Sequence, residues 1–209
     1  SGGVTISHLR YGRDKINEPY YVTHPEITVV TKDIYFRMFD IIDTLKENGT
    51  LLINTIKNES DLLRLLPTKV KNCIYKKNIK VYYIDAENIA SKNNLKGKIS
   101  KIREVLILNL LNVEDATSML EDSIKKSFVT KGEDVVNNNI LAMYEALSNL
   151  KELKINHEYN ETISIIDDSV ISMINERKGN EIPVSKLIDY ACGRFPGATT
   201  NNEKRNISN

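Results

Sequence analysis

The chain has 209 residues, of which 41% are hydrophobic and 27% charged, and its formal net charge is +1. These proportions are typical of a globular protein with one well-buried core, and the balanced charge gives no electrostatic reason to expect nucleic acid or an anionic membrane as a partner. No apolar run of about 18 residues and no targeting peptide is visible, so the sequence predicts a cytoplasmic protein with no membrane and no nucleic-acid partner. Cysteine occurs only at Cys73 and Cys192, too few to hold a zinc ion or an iron–sulfur cluster without ligands from elsewhere.

The first part of the chain is predicted to contain three strands and one long helix. Alternating residues at Val4–Leu9 indicate a β-strand, and the continuous apolar stretch Ile27–Thr31 is typical of a buried strand in an α/β sheet. Asp33 is then expected to cap a helix that runs to about Leu45. The apolar stretch Thr50–Thr55 predicts the next buried strand.

A further buried strand is predicted after two short helices. The first of these helices should begin at Asn58 or Ser60, and Pro67 suits the first turn of the second. The strand is Ile79–Asp85, whose last residue is well placed to cap a helix over Ala86–Lys92.

Helices dominate the following part of the chain. A helix is predicted over Leu95–Leu111 with an interruption at Gly97, and an amphipathic helix over Val113–Phe128. A last helix is predicted over Gly132–Glu152, where apolar residues recur every three or four positions. Strands that alternate with helices indicate an α/β layered sandwich, with a largely parallel or mixed sheet flanked by helices.

The composition changes after residue 153. The remainder contains two prolines and two glycines within residues 183–197 and few apolar residues beyond them, which is typical of an extended segment. We therefore predict a compact domain over residues 1–153 and an extended, wrapping C-terminal segment or linker over residues 154–209. Residues 199–209 are expected to make few contacts.

The sequence contains no familiar catalytic or nucleotide-binding motif such as G-x-G-x-x-G, H-E-x-x-H, G-x-S-x-G or C-x-x-C. The strongest local candidate site is formed by Ser7, His8 and Arg10, at the end of the first predicted strand. Ligands bind at strand ends in open α/β sheets, and arginine offers a forked donor for phosphate or carboxylate. The alternative is that these residues make an interdomain contact or a surface salt bridge. Cys73 lies on the apolar face of its predicted helix and is interpreted as a small core residue rather than a nucleophile.

The opening stretch GGVTISHLRYG resembles the G-G-x-T-x-S-H-L-R-F/Y-G segment of pyruvate:ferredoxin (flavodoxin) oxidoreductases. Four later stretches resemble segments of the same family in the same order, so the resemblance covers nearly the whole chain. They are DIIDTLKENGTLLINT, LLRLLPTKVKNCIYKKNIKVYYIDAENIA, EDSIKKSFVTKGEDVVNNNILAMYEAL and FPGATTNNEKRNIS.

One stretch departs from the family pattern. Where the family has G-x-R/K-I/V-N-x-I/M-M-Q, this chain has KGKISKIRE at residues 96–104. Ser100 stands in place of the Asn, and Glu104 stands in place of the Gln. If that Asn and Gln touch the rest of the enzyme, the contact is altered here, which leaves the identity of the 2-oxoacid substrate open.

The resemblance implies part of an enzyme that oxidatively decarboxylates pyruvate, or another 2-oxoacid, with coenzyme A to give acyl-CoA and carbon dioxide. It implies thiamine diphosphate, magnesium and 4Fe–4S clusters in the larger enzyme and no cofactor bound by this chain alone, with electrons passing to ferredoxin or flavodoxin. The partners would be the other domains of a homo-oligomeric enzyme. Ser7, His8 and Arg10 would then lie on the coenzyme A side or at a domain contact.

The same resemblance assigns residues 1–153 to the family's gamma-type domain, without part of its first strand. Residues 154–209 resemble the segment named for its Glu-Lys-Arg, which leads into a ferredoxin-like domain. The chain is thus expected to be a fragment of a longer polypeptide and to be inactive by itself. The competing interpretation is a non-catalytic α/β interaction or scaffold domain, because this chain alone has no recognisable catalytic set.

Overall fold

The structure is a computed structural model that describes residues 4–12, 15–17, 20–95, 97–159 and 181–185. Its strands are β1 Ile27–Val30, β2 Thr50–Asn54, β3 Lys80–Ile84 and β4 Lys151–Leu153. They form one sheet in the order β1-β2-β3-β4. The first three strands are parallel, whereas β4 runs antiparallel to β3.

Helices connect the strands and cover the sheet. In the described residues they are α1 Tyr35–Met38, α2 Glu59–Leu65, α3 Thr68–Lys76, α4 Ala86–Lys92, α5 Ser100–Leu110, α6 Ala116–Phe128 and α7 Glu133–Asn149. A turn of 3-10 helix, Val129–Lys131, follows α6.

Side chains of β2 alternate between two apolar layers because successive residues of a strand point to opposite faces. Leu51 and Ile53 are buried in the layer that β2 forms with α1, α2 and α3. Leu52 is buried in the layer formed with α4, α5, α6 and α7. Helices therefore cover both faces of a mixed sheet, which confirms the predicted α/β layered sandwich.

Two helices begin as predicted. Asn58 Oδ1 accepts a hydrogen bond from Asp61 N at 3.0 Å, and Asp85 Oδ1 accepts one from Asn88 N at 2.9 Å. Each bond satisfies a backbone N–H that the first turn of a helix leaves unpaired. These caps start α2 and α4 just beyond the carboxyl ends of β2 and β3, so both helices leave the same edge of the sheet.

The prediction of a strand at Val4–Leu9 is wrong. Residues 4–12 have no regular secondary structure and do not join the sheet. The side chains of Ile6 and Leu9 are 70% and 76% exposed, so apolar positions of the alternating pattern do not pack into a core. A strand needs a neighbour that exchanges backbone hydrogen bonds with it, and the described residues provide none for this segment.

The predicted helix from Asp33 to Leu45 is wrong for most of its length. Only α1 is helical there, and the chain becomes extended at Phe39, with φ −140° and ψ 145°. Asp33 does not cap α1, because its carboxylate accepts a hydrogen bond from Thr55 Oγ1 at 3.1 Å and pairs with Lys57 Nζ at 3.3 Å. Asp33 therefore contacts Thr55 and Lys57, which follow β2, instead of capping the helix as the sequence pattern predicts.

The later helices agree better with the predictions. The predicted helix Leu95–Leu111 begins late, because Gly97 adopts a φ of +75° and α5 starts only at Ser100. The predicted helix Gly132–Glu152 is wrong at its carboxyl end, because α7 stops at Asn149 and Leu150 is extended. The next residues form β4, which pairs with β3 and supplies hydrogen-bond partners for the backbone groups along the edge of β3. The helical spacing of apolar residues in the sequence gives no sign of this pairing.

The predicted C-terminal segment, residues 154–209, lies mostly outside the described residues, and its boundary stays a prediction. Its first residues dock on α3. Asn72 Nδ2 donates a hydrogen bond to Tyr159 O at 2.9 Å, and Asn72 Oδ1 accepts one from Tyr159 N at 2.8 Å. Lys71 Nζ lies 4.1 Å from the centre of the Tyr159 ring. The chain that follows β4 therefore contacts α3 through Tyr159.

Candidate functional site

Arg10 ties the N-terminal segment, residues 4–12, to the stretch around Tyr20. Its Nη1 donates a hydrogen bond to the carbonyl oxygen of Tyr20, and its Nη2 donates one to that of Tyr21 at 3.1 Å. The guanidinium carbon lies 4.7 Å from the centre of the Tyr20 ring, within cation–π distance. Arg10 therefore positions this segment in addition to carrying a charge.

Ser7 and His8 lie on the same segment and are both exposed. The His8 ring lies 4.8 Å from the Tyr21 ring, and the two planes are tilted by 47°. Together with Arg10 they line a groove of about 1900 Å³. The structure thus places the three predicted site residues along a single groove.

The same groove is lined by β1, by some of the residues between 39 and 46, and by α5, which contributes Ser100, Arg103 and Glu104. Glu104 Oε2 pairs with Lys101 Nζ at 2.7 Å. The family pattern had singled out Ser100 and Glu104 as departures. Only the fold shows that they share a groove with the N-terminal segment.

Two polar atoms of the groove residues are buried without a hydrogen-bond partner in the described part of the chain: Oγ1 of Thr28 on β1 and Nε of Arg103 on α5. Buried polar atoms are nearly always paired, because an unpaired one costs about 1–3 kcal/mol. Sequence analysis missed Arg103. The family pattern could have revealed it, since that pattern has Met at the position where this chain has Arg103.

A second polar cluster lies at the carboxyl ends of the parallel strands, the edge where ligands of open α/β sheets usually bind. Asn54 is 7% exposed; its Oδ1 accepts a hydrogen bond from Ala86 N at 3.0 Å, and its Nδ2 donates one to Thr31 O at 3.4 Å. Thr55 Oγ1 accepts a hydrogen bond from Lys57 N at 3.2 Å. The polar groups of this cluster are therefore hydrogen-bonded to one another. Through Asn54, the cluster connects the carboxyl ends of β1, β2 and β3.

Cys73 is half-buried on α3 and packs against the apolar layer of α1, α2 and α3. Burial raises the pKa of its thiol, and the nearby Lys77 ammonium opposes that shift. A thiol with a raised pKa is a poor nucleophile at neutral pH because little thiolate is present. Both observations agree with the interpretation of Cys73 as a core residue.

We expect Cys73 to react slowly with iodoacetamide at neutral pH in a folded chain that carries Cys192→Ser. Its rate should be several-fold lower than in the same chain unfolded in urea. It should rise about tenfold per pH unit up to the raised thiol pKa, because only the thiolate reacts. Equal alkylation rates in the folded and unfolded chains would contradict the assignment of Cys73 to the core.

Within the ranges that the structure describes, no group of three or more His, Cys, Asp or Glu side chains could hold a metal ion. In those ranges, too, no helix combines the length and the apolar character needed to cross a membrane. A 4Fe–4S cluster is held by cysteine thiolates, and Cys73 is the one cysteine described. The described residues therefore do not supply the ligand set of the clusters that the family resemblance implies.

The family model described as pyruvate ferredoxin/flavodoxin oxidoreductase matches residues 1–148, and the one described as a domain of unknown function, EKR, matches residues 158–208. Pyruvate:ferredoxin oxidoreductase of Moorella thermoacetica is 31% identical over 100% of this chain and 19% of its own length. Pyruvate-flavodoxin oxidoreductase of Klebsiella pneumoniae is 28% identical, with the same coverage of 100% and 19%. This chain thus spans about a fifth of the length of these curated relatives. The solved structure of pyruvate oxidoreductase subunit PORC from Thermotoga maritima has 22% identity and a TM-score of 0.48, over 64% of this chain and 67% of that one.

Proposed function

The chain belongs to the pyruvate ferredoxin/flavodoxin oxidoreductase family, and from this premise we propose that it is the gamma-type domain of a larger enzyme. That enzyme breaks the bond between the carboxylate and keto carbons of pyruvate or another 2-oxoacid, releases carbon dioxide and transfers the acyl group to coenzyme A. Thiamine diphosphate, held with magnesium by other domains, supplies the electron sink. The two electrons leave one at a time through 4Fe–4S clusters to ferredoxin or flavodoxin.

The observation that carries this proposal is a relationship that extends over the whole chain rather than over one motif. We assign residues 1–153 to the gamma-type domain and residues 154–209 to the segment that leads toward the cluster-binding part. The partners are the other domains of a homo-oligomeric enzyme. We place this enzyme in the cytoplasm, because iron–sulfur clusters and free thiols suit a reducing compartment.

We further propose that the groove lined by Ser7, His8 and Arg10 faces coenzyme A. Arg10 contributes a permanent positive charge, and coenzyme A carries phosphate groups. A charge-assisted hydrogen bond is about twice as strong as a neutral one. The alternative is a contact with a neighbouring domain, and in either role Arg10 also holds its own segment through the bonds to the carbonyl groups of Tyr20 and Tyr21.

Steady-state kinetics of the larger enzyme separate these two roles. Arg10→Ala is expected to raise the KM for coenzyme A about tenfold, equivalent to about 1.4 kcal/mol of lost binding. The exchange of carbon dioxide with the pyruvate carboxylate, which precedes acyl transfer, should continue at the unchanged rate. Arg64→Ala is the matched control, because the Arg64 side chain is 80% exposed on α2 and does not line the groove.

An unchanged KM for coenzyme A with unchanged stability would leave only the domain-contact role for Arg10. We expect the isolated chain not to oxidise pyruvate, since other domains of the proposed enzyme hold thiamine diphosphate and the clusters. Pyruvate oxidation that depends on coenzyme A in the purified 209-residue chain would overturn the assignment as one domain of a larger enzyme.

A further inference from the structure

β1 lies at one edge of the sheet and pairs only with β2 in the described residues. Thr50 N donates a hydrogen bond to Glu26 O at 2.8 Å. In a parallel ladder, alternate residues direct their backbone groups to the same neighbour, so those of Ile27 and Val29 point away from β2. They point toward the groove, which both residues line.

The sequence of β1 is that of an interior strand. Exposed edge strands usually carry a charge, a proline or a bulge that blocks further pairing. β1 reads Ile-Thr-Val-Val and carries none of these. Val29 packs against the apolar layer of α4–α7, and Val30 is buried in the layer of α1–α3. Both faces of β1 are therefore covered, while no described residue pairs with its outer edge.

Two buried polar atoms of the groove residues have no hydrogen-bond partner in the described part of the chain. Arg103 Nε, on α5, is one of these atoms and is a donor. Burying the Nε–H of an arginine without an acceptor is unfavourable, whereas a carboxylate beside it would accept that hydrogen bond. Thr28 Oγ1, on β1 itself, is the second unpartnered atom. A segment bound beside this strand edge would therefore be stabilised by an acceptor placed against Arg103 Nε.

We propose that the part of the groove beside β1 and Arg103 binds an extended segment of the oxidoreductase polypeptide outside residues 1–209. The segment pairs with the outward backbone groups of Ile27 and Val29 and places an aspartate or glutamate side chain against Arg103. This inference rests on the proposed function, which supplies the larger polypeptide: the relatives are about five times longer than this chain. Addition of a strand to an open edge uses main-chain hydrogen bonds for affinity and side-chain contacts for specificity.

Amide hydrogen exchange tests the strand pairing. The enzyme is purified through a tag on this chain, and exchange at Ile27 and Val29 is compared with that in the isolated chain. Both amides should exchange at least tenfold more slowly in the enzyme. Unchanged exchange would overturn the proposal. Protection that appears in the isolated chain as its concentration rises would also overturn it, because a second copy would then be the occupant.

Zero-length cross-linking tests the carboxylate. In the enzyme carrying Arg103→Lys, a carbodiimide should join the introduced amine to one aspartate or glutamate outside residues 1–209, identified by mass spectrometry. The same treatment of Arg64→Lys, on exposed α2, should not label that carboxylate. A cross-link confined to residues 1–209, or none at Arg103→Lys, would overturn the proposed partner.

Arg103→Met tests the contact in a third way, because it should not lower the stability of the isolated chain but should weaken the binding of the chain to the rest of the enzyme. The isolated chain should be at least as stable as the unchanged one, because a buried unpartnered donor is removed. When the chain and the rest of the oxidoreductase polypeptide are expressed separately, the Arg103→Met chain should bind the rest about tenfold more weakly than the unchanged chain does, and unchanged binding would contradict the contact.

If the purified full-length protein has no 2-oxoacid oxidoreductase activity, the proposed function fails together with this inference. If it is active and the β1 amides stay unprotected, only this inference fails.

Discussion

Ile53→Ala is expected to lower the free energy of unfolding by about 3–4 kcal/mol, within the range of about 2–5 kcal/mol found for such truncations in cores. Ile53 is 0% exposed and lies on β2, which has a parallel strand on either side. Its side chain belongs to the layer of α1, α2 and α3. The flanking strands hold the backbone in place, so the cavity left by the smaller side chain cannot easily collapse.

Urea unfolding followed by circular dichroism measures this loss, with Ile56→Ala as the matched control. Ile56 lies three residues later and is 78% exposed, so its truncation should change stability by less than about 0.5 kcal/mol. If the two variants lose equal stability, Ile53 does not lie in a packed layer. The midpoint of thermal unfolding should fall by roughly 10 °C for Ile53→Ala and hardly move for the control.

Asn54→Ala is expected to lower the free energy of unfolding by about 2–3 kcal/mol, because it leaves buried backbone groups without partners. Asn54 Oδ1 is the acceptor for Ala86 N, and Ala86 is 0% exposed, so water cannot easily replace the lost bond. The bond from Asn54 Nδ2 to Thr31 O is lost as well. The ends of β1, β2 and β3 would thus lose a shared connection.

The control for this substitution is Asn88→Ala, because the Asn88 side chain is exposed on α4. It should cost less than about 0.5 kcal/mol in the same urea experiment. Asn54→Asp retains an acceptor for Ala86 N but loses the donor to Thr31 O and buries a charge, so we expect it also to destabilise the chain. An Asn54→Ala variant as stable as Asn88→Ala would show that the carboxyl ends of the strands are held by other contacts.

The interior of the sheet was predictable from sequence. The apolar stretches Ile27–Thr31, Thr50–Thr55 and Ile79–Asp85 each contain one observed parallel strand, with small differences at the ends. Strands buried on both faces must be apolar throughout, so their local composition nearly determines them. The caps at Asn58 and Asp85 were also predictable from local sequence, because each is a hydrogen bond to the backbone N–H three residues later.

The candidate site was predictable only in part. The sequence indicated Ser7, His8 and Arg10 through the donors they carry, and Ser100 and Glu104 through a departure from a pattern. All of these residues line one groove because the fold brings the N-terminal segment, β1 and α5 together. These three parts are distant from one another in the sequence. Ion pairs and packing across such distances leave no periodicity in the sequence.

By itself, the sequence determined the α/β class, the buried strands, the main helices and the membership in an oxidoreductase family. Tertiary structure decided the rest where two local tendencies competed. Asp33 contacts Thr55 and Lys57 instead of capping a long helix, and residues 151–153 leave a helical pattern to pair with β3. Val4–Leu9 has the alternation of a strand but no pairing neighbour in the described residues. A strand's hydrogen bonds come from another segment, so a pattern of side chains predicts that a segment can form a strand, whereas only the fold decides whether it has a neighbour to pair with.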